Sequence, residues 1–150
     1  MEIANINKHL GYCGINCGKC FAYFEGPIKE NSRKLKDSLG NFTVYAERFS
    51  ELLNEPVFKK YREFKEMLDY FDSMHCRGCR LDGCMIFKNC NVRACAIEKE
   101  VDYCFQCNDF PCQNSGFDEH LKQRWITINS EMKNVGIEAY YERIKDKPRY

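Results

Sequence analysis

The chain has 150 residues and lacks four features that would each have suggested a fold or a function. Its first stretch, MEIANINKHLGYC, has no apolar segment of roughly 7 to 15 residues, so a secretory signal is not expected. No run approaches the ~18 consecutive apolar residues of a membrane span. A cytoplasmic protein with no membrane partner is therefore the expectation. There is also almost no net charge: the formal value is +1 with every cysteine counted as neutral. A divalent ion held by four thiolates carries a local charge of −2, so two such sites would bring the protein to about −3. A mildly acidic protein is a poor generic binder of phosphate backbones. Finally, no long alternation of apolar and polar residues marks a strand, which argues against a β-rich fold.

Cysteine is abundant. Eleven fall in this chain, a load usual in extracellular disulfide scaffolds or in metal domains. The missing signal and the odd count, which would leave one thiol over, favour metal. The cysteines form three groups: CGINCGKC (13–20), CRGCRLDGCMIFKNCNVRAC (76–95) and CFQCNDFPC (104–112). Cys17/Cys20, Cys76/Cys79 and Cys104/Cys107 are Cys-x2-Cys pairs, a spacing at which one tight turn presents two thiolates to one ion. Cys13, Cys84, Cys90, Cys95 and Cys112 bring the candidate ligands to eleven.

Helical periodicity fills the cysteine-free stretches. Phe42, Tyr45, Phe49, Leu52 and Leu53 repeat at helical spacing, Pro56 suits the first turn of a following helix, and Phe58, Tyr61, Phe64, Leu68 and Phe71 keep the period. Phe117, Leu121, Trp125, Ile128, Met132 and Val135 make a third face that Gly136 is placed to end, with a shorter helix after it. Asn91 is positioned to cap a short helix carrying Cys95. Residues 25–41 are polar and read as a loop with a short surface helix. The expected fold is mainly α, with little or no β-sheet. It is a small single domain over 1–150, with helices at 42–72 and 117–146 stapled by metal-binding loops at 13–20 and 76–112. The apolar faces read as one shared core.

The first group, Cys-x3-Cys-x2-Cys, has the spacing of radical S-adenosylmethionine enzymes. Those need an alternating strand–helix barrel of about 200 residues or more, and the alternation is missing here. They also usually carry an aromatic residue before the third cysteine, where this chain has Lys19. The expected cofactor is zinc, two or more ions per chain. An iron–sulfur cluster is the alternative, since it uses the same thiolates, although the compact Cys-x2-Cys-x2-Cys ferredoxin run is absent. Three cysteines at 13–20 cannot close a tetrahedron alone. Cys95 or Cys112 is expected to complete that site, and Cys76/Cys79 with Cys104/Cys107 to form a second. His75, beside Cys76, is the one histidine placed to add a ligand; His9 and His120 read as ordinary.

The motifs together resemble a family of small prokaryotic cysteine-rich proteins of unknown function, described as zinc-binding. Its CGLxCxxC is matched by CGINCGKC, its CxGC by CRGC, its CxIRxCAIEKG by CNVRACAIEKE, and its CxxCxxFPC by CFQCNDFPC. The resemblance marks Cys13, Cys17, Cys20, Cys76, Cys79, Cys90, Cys95, Cys104, Cys107 and Cys112 as motif cysteines. It does not cover Cys84, and Glu100 stands where the motif has glycine. It implies metal binding and brings no reaction.

No catalytic constellation is recognisable. Glu98, Asp102 and Asp109 lie near motif cysteines and read as surface charge. Arg77, Arg80, Lys88, Arg93 and Lys99, with Phe87 and Phe105 available to stack, could suit nucleic acid. Cationic neighbours that neutralise thiolates are the simpler account. The expected role is a structural zinc protein in protein interaction or regulation. A redox metalloprotein or enzyme and a nucleic-acid module are the alternatives.

Overall fold

A computed structural model describes residues 2–150. Eight α-helices run in the order α1 (Ile3–Ile6), α2 (Pro27–Leu39), α3 (Phe42–Leu52), α4 (Tyr61–Ser73), α5 (Cys79–Asp82), α6 (Val92–Glu98), α7 (Glu119–Val135) and α8 (Ile137–Ile144). Among the described residues there is no β-strand, only two isolated bridges, Leu10 with Asn16 and Tyr23 with Cys76. The mainly α architecture is as expected.

α7 and α8 follow the periodicity closely. Asp118 caps α7 by accepting from Leu121 N at 2.9 Å, and Gly136, at φ 86°, ends it as a left-handed glycine can. Their inner faces meet α1. Ile6, Leu10, Tyr103, Met132, Tyr140 and Tyr141 form the main apolar cluster. A smaller cluster of Cys20, Ala22, Tyr23 and Cys76 lies under the first two cysteine loops.

Three expectations are corrected. Residues 27–39 form a full helix, begun by Pro27 in its first turn and packed along α4. Its polarity reflects having one partner rather than being a loop. Asn91 precedes α6 but its side chain makes no capping bond, because the residue has already turned into helical geometry. And there is no single shared core. On α3 and α4 only Ala46, Ser50 and Leu68 are buried, while Tyr45, Leu52, Leu53 and Phe64 are exposed. Phe42, Phe49, Phe58 and Tyr61 instead stack on one another, with centroids 4.9–6.1 Å apart. This hairpin is too thin to bury both sides of its apolar faces. Among the described residues no helix is long and apolar enough to cross a membrane.

Candidate metal centres

The first cysteine loop is folded by its own backbone. Gly11 N donates to Ile15 O at 3.0 Å and Cys17 N donates to His9 O at 2.6 Å, so the chain doubles back after α1. Asn16 then caps the 3₁₀ turn Cys17–Lys19, its side chain accepting from Lys19 N. Gly11 leaves room for the thiols. A Cβ there would sit 3.4 Å from the Cys13 sulfur, 3.6 Å from that of Cys17 and 3.3 Å from Cys79 Cβ.

The second loop is laid against the first. Cys76 N donates to Ala22 O at 2.9 Å, and Phe24 N donates to Cys76 O at 3.0 Å. An Arg77–Asp82 ion pair braces the turn into α5. Gly78 N donates to Cys76 Sγ at 3.4 Å and Phe87 N to Cys84 Sγ at 3.3 Å. The outcome is that Cys13, Cys17, Cys20, Cys76, Cys79, Cys84 and Cys90 line one cavity of about 40 Å³. Ile15, Ala22, Met85, Val92 and Arg149 complete much of its wall.

The other four thiols share a second cavity of about 30 Å³. α6 carries Cys95, and a 3₁₀ turn carries Cys104. Gln106 Oε1 fixes that turn by accepting from Asp102 N and Tyr103 N, both at 2.9 Å. Cys107 Sγ accepts from Asp109 N at 3.4 Å, and Cys112 closes the set. Val92, Ala96, Phe110 and Trp125 make the remaining wall largely apolar.

All eleven cysteines are free thiols, and burial makes Cys13, Cys17, Cys79, Cys90, Cys95 and Cys104 hard to ionise one at a time. Burial first, then the neighbouring Cys17 and Cys79, pushes the Cys13 thiol far up. Cys79 is pushed up to about 12 and Cys104 to about 11, in both cases chiefly by burial. Burial raises Cys17 and Cys90 as well, and Arg149 opposes part of the rise at Cys17. Crowded thiols of this kind give up their protons together only when a cation replaces them. The donor set therefore fits metal. So do the unpaired donors: Trp125 Nε1 and Arg149 Nε are buried without a hydrogen-bond partner. The Trp125 indole N–H makes no hydrogen bond but lies close enough to Cys104 to hold its thiol lower than burial alone would. Among the described residues, however, no three Cys, His, Asp or Glu side chains converge within reach of a single ion. The sulfurs border cavities instead of meeting at a point.

Every sequence-derived candidate cysteine thus lies on one of the two cavities, Cys84 included. The expected sharing is corrected. Cys95 and Cys112 stand with Cys104 and Cys107, while Cys76 and Cys79 stand with the first loop. The Tyr23–Cys76 bridge draws the 13–20 and 76–90 loops together, and α6 starts after Cys90, which carries Cys95 away. His75 is exposed, with Nδ1 3.5 Å from Ser73 O, and lines neither cavity. His9 stacks on Tyr141 at 6.0 Å, and His120 is exposed. Of the cationic candidates, Arg80 is held between the Tyr12 and Tyr103 rings and donates to Leu10 O and Asp102 O. Lys99 pairs with Asp109. Glu98 and Asp102 are exposed. Sequence reasoning missed Arg149, Trp125 and Asn129 as parts of the site, since nothing in their spacing ties them to the cysteines.

No curated protein and no solved structure matches the chain. Residues 9–116 match the model of a family described as "Protein of unknown function (DUF3795)". That span contains all eleven cysteines, and the chain belongs to this family.

Proposed function

We propose that the chain is an iron–sulfur protein, with one centre in the four-thiol cavity and at least one in the seven-thiol cavity. The observation that carries this reading is the size of the thiol sets: four and seven sulfurs line two largely apolar cavities, and four thiolates are the ligand count of an iron–sulfur core. Thiolates on a single zinc ion lie about 2.3 Å from one point. An iron–sulfur core puts its irons at its own corners and spreads its thiolates outward. Backbone N–H groups directed at Cys76, Cys84 and Cys107, and the indole N–H near Cys104, are the kind of contact that tunes cluster potentials. Cavities of about 40 and 30 Å³ are far below the roughly 300–1,000 Å³ of organic-ligand sites.

Zinc is the second reading, favoured by the Cys76–Cys79 turn in which Gly78 N is donated back to Cys76 Sγ. Elemental analysis, acid-labile sulfide and visible absorption on anaerobically purified protein separate the two. The expected result is a brown protein with matched iron and sulfide. A colourless protein carrying two or more zinc ions per chain would replace the first reading with the second.

A further inference from the structure

The two cavities are separated by very little protein. Val92, at the start of α6, lines both of them. Cys104 N donates to Tyr12 O at 3.1 Å, so the third loop is joined to the first beside Cys13. A file of aromatic rings also spans the gap. Phe87 and Phe117 line the seven-thiol cavity and lie 6.2 Å apart; Phe117 is 5.9 Å from Trp125; Trp125 is 4.9 Å from Phe110, and these last two line the four-thiol cavity. The wall is one side chain thick and apolar.

Two purely structural sites would gain nothing from this proximity. Two redox centres would, because electron tunnelling through protein decays exponentially with distance. We infer that the two cysteine cavities form a two-centre electron relay, with Val92 and the Phe117–Trp125 pair as the medium between them. The inference rests on the iron–sulfur reading. In each step one electron leaves the reduced centre in one cavity and enters the oxidised centre in the other. One centre is oxidised and one reduced, no bond is made or broken, and no proton moves. An external one-electron donor and an external one-electron acceptor complete the cycle.

The test is electron paramagnetic resonance of the full-length, cluster-loaded protein during an anaerobic dithionite titration. At partial reduction, the expected spectrum is that of isolated centres. At full reduction each signal should split or broaden, because a second unpaired spin lies within the reach of dipolar coupling. Replacing Cys112→Ser, with folding checked by circular dichroism, should remove that splitting and leave one simple signal. The wild-type titration carries the test alone if the variant does not fold. Two unsplit signals that merely add, or only one centre reducible, would overturn the relay and leave the iron–sulfur reading standing. A colourless zinc-loaded protein would end both.

Discussion

Asn129 donates its side-chain amide to the Cys13 carbonyl at 2.8 Å, across 116 positions of sequence. Its oxygen accepts from Phe105 N at 3.1 Å, and the residue is fully buried. One residue of α7 thus holds the backbones of two cysteine loops that serve different cavities. Asn129→Ala would leave a half-buried carbonyl and a half-buried N–H without protein partners, at up to about 1–3 kcal/mol each. The thermal midpoint should fall by several degrees and both cavities should lose metal affinity together. An unchanged midpoint, or loss confined to one cavity, would contradict this joint role.

The grouping of thiols predicts which cysteines act together. Cys112→Ser should remove the centre of the four-thiol cavity and spare the other. Cys17→Ser should remove metal from the seven-thiol cavity. It should also destabilise more of the molecule, because thiols of both the 13–20 loop and the 76–90 loop line that cavity. His75→Ala should cost no metal at all. Metal content by native mass spectrometry reads all three. If Cys112→Ser depleted the seven-thiol site instead, the two-cavity grouping would be wrong.

The cysteines themselves were legible in the sequence, since tight Cys-x2-Cys turns present two thiolates to one ion. So were α7 and α8, whose apolar positions recur every three or four residues with an end signal at Gly136. What the sequence could not reveal was which loops meet. That is decided by single long-range backbone bonds, such as Cys76 N to Ala22 O, that leave no trace in residue type. The same limit explains α3 and α4. Periodicity reports an amphipathic helix, but not whether a second layer exists to cover it, and here Leu52 and Leu53 remain exposed.

Removing the metal should divide the molecule. The α2–α4 hairpin is held by its own ring cluster and by Arg33 and Lys36 reaching Asp72, with no thiol contribution. Structural metal can supply about 10 kcal/mol or more of folding energy, comparable to the net stability of a whole domain. Chelation should therefore unfold the cysteine-rich part first while much of the helical signal persists. Trp125 is the only tryptophan and borders the four-thiol cavity, so its emission should shift to the red as that cavity opens. Unaltered emission after complete stripping would argue that the metals hold nothing together.

Gly116 tests the seam between the cavities. Its φ is 73° and an added Cβ would lie 1.9 Å from the Asn89 carbonyl oxygen, next to the bond from Asn91 N to Ser115 O. Neither the dihedral nor the contact tolerates a side chain, so Gly116→Ala should destabilise by about 3 kcal/mol or more. Gly40 also has a positive φ, 51°, but nothing lies within 4 Å of its Cβ position. Gly40→Ala should cost less, about 1–3 kcal/mol from backbone strain at its ψ of −121° alone. Equal losses in chemical denaturation would mean that backbone strain, and not the Asn89 contact, sets the cost.

Trp125→Phe separates electrostatics from packing at the four-thiol cavity. The ring packs edge-on against Phe110 and Phe117, at 83° and 79°. Phenylalanine keeps an aromatic ring there and removes the N–H that lies close to Cys104. An N–H directed at a cluster thiolate stabilises the reduced, more negative state more than the oxidised one. Its loss should lower that centre's reduction potential. A contact worth about 1 kcal/mol, the size of one hydrogen bond, corresponds to roughly 40 mV for a one-electron couple. The potential of the seven-thiol centre should hold steady, which a general loosening of the fold would not allow. A redox titration followed by electron paramagnetic resonance measures both. An unmoved potential at the four-thiol centre would show that the indole N–H does not act on the metal.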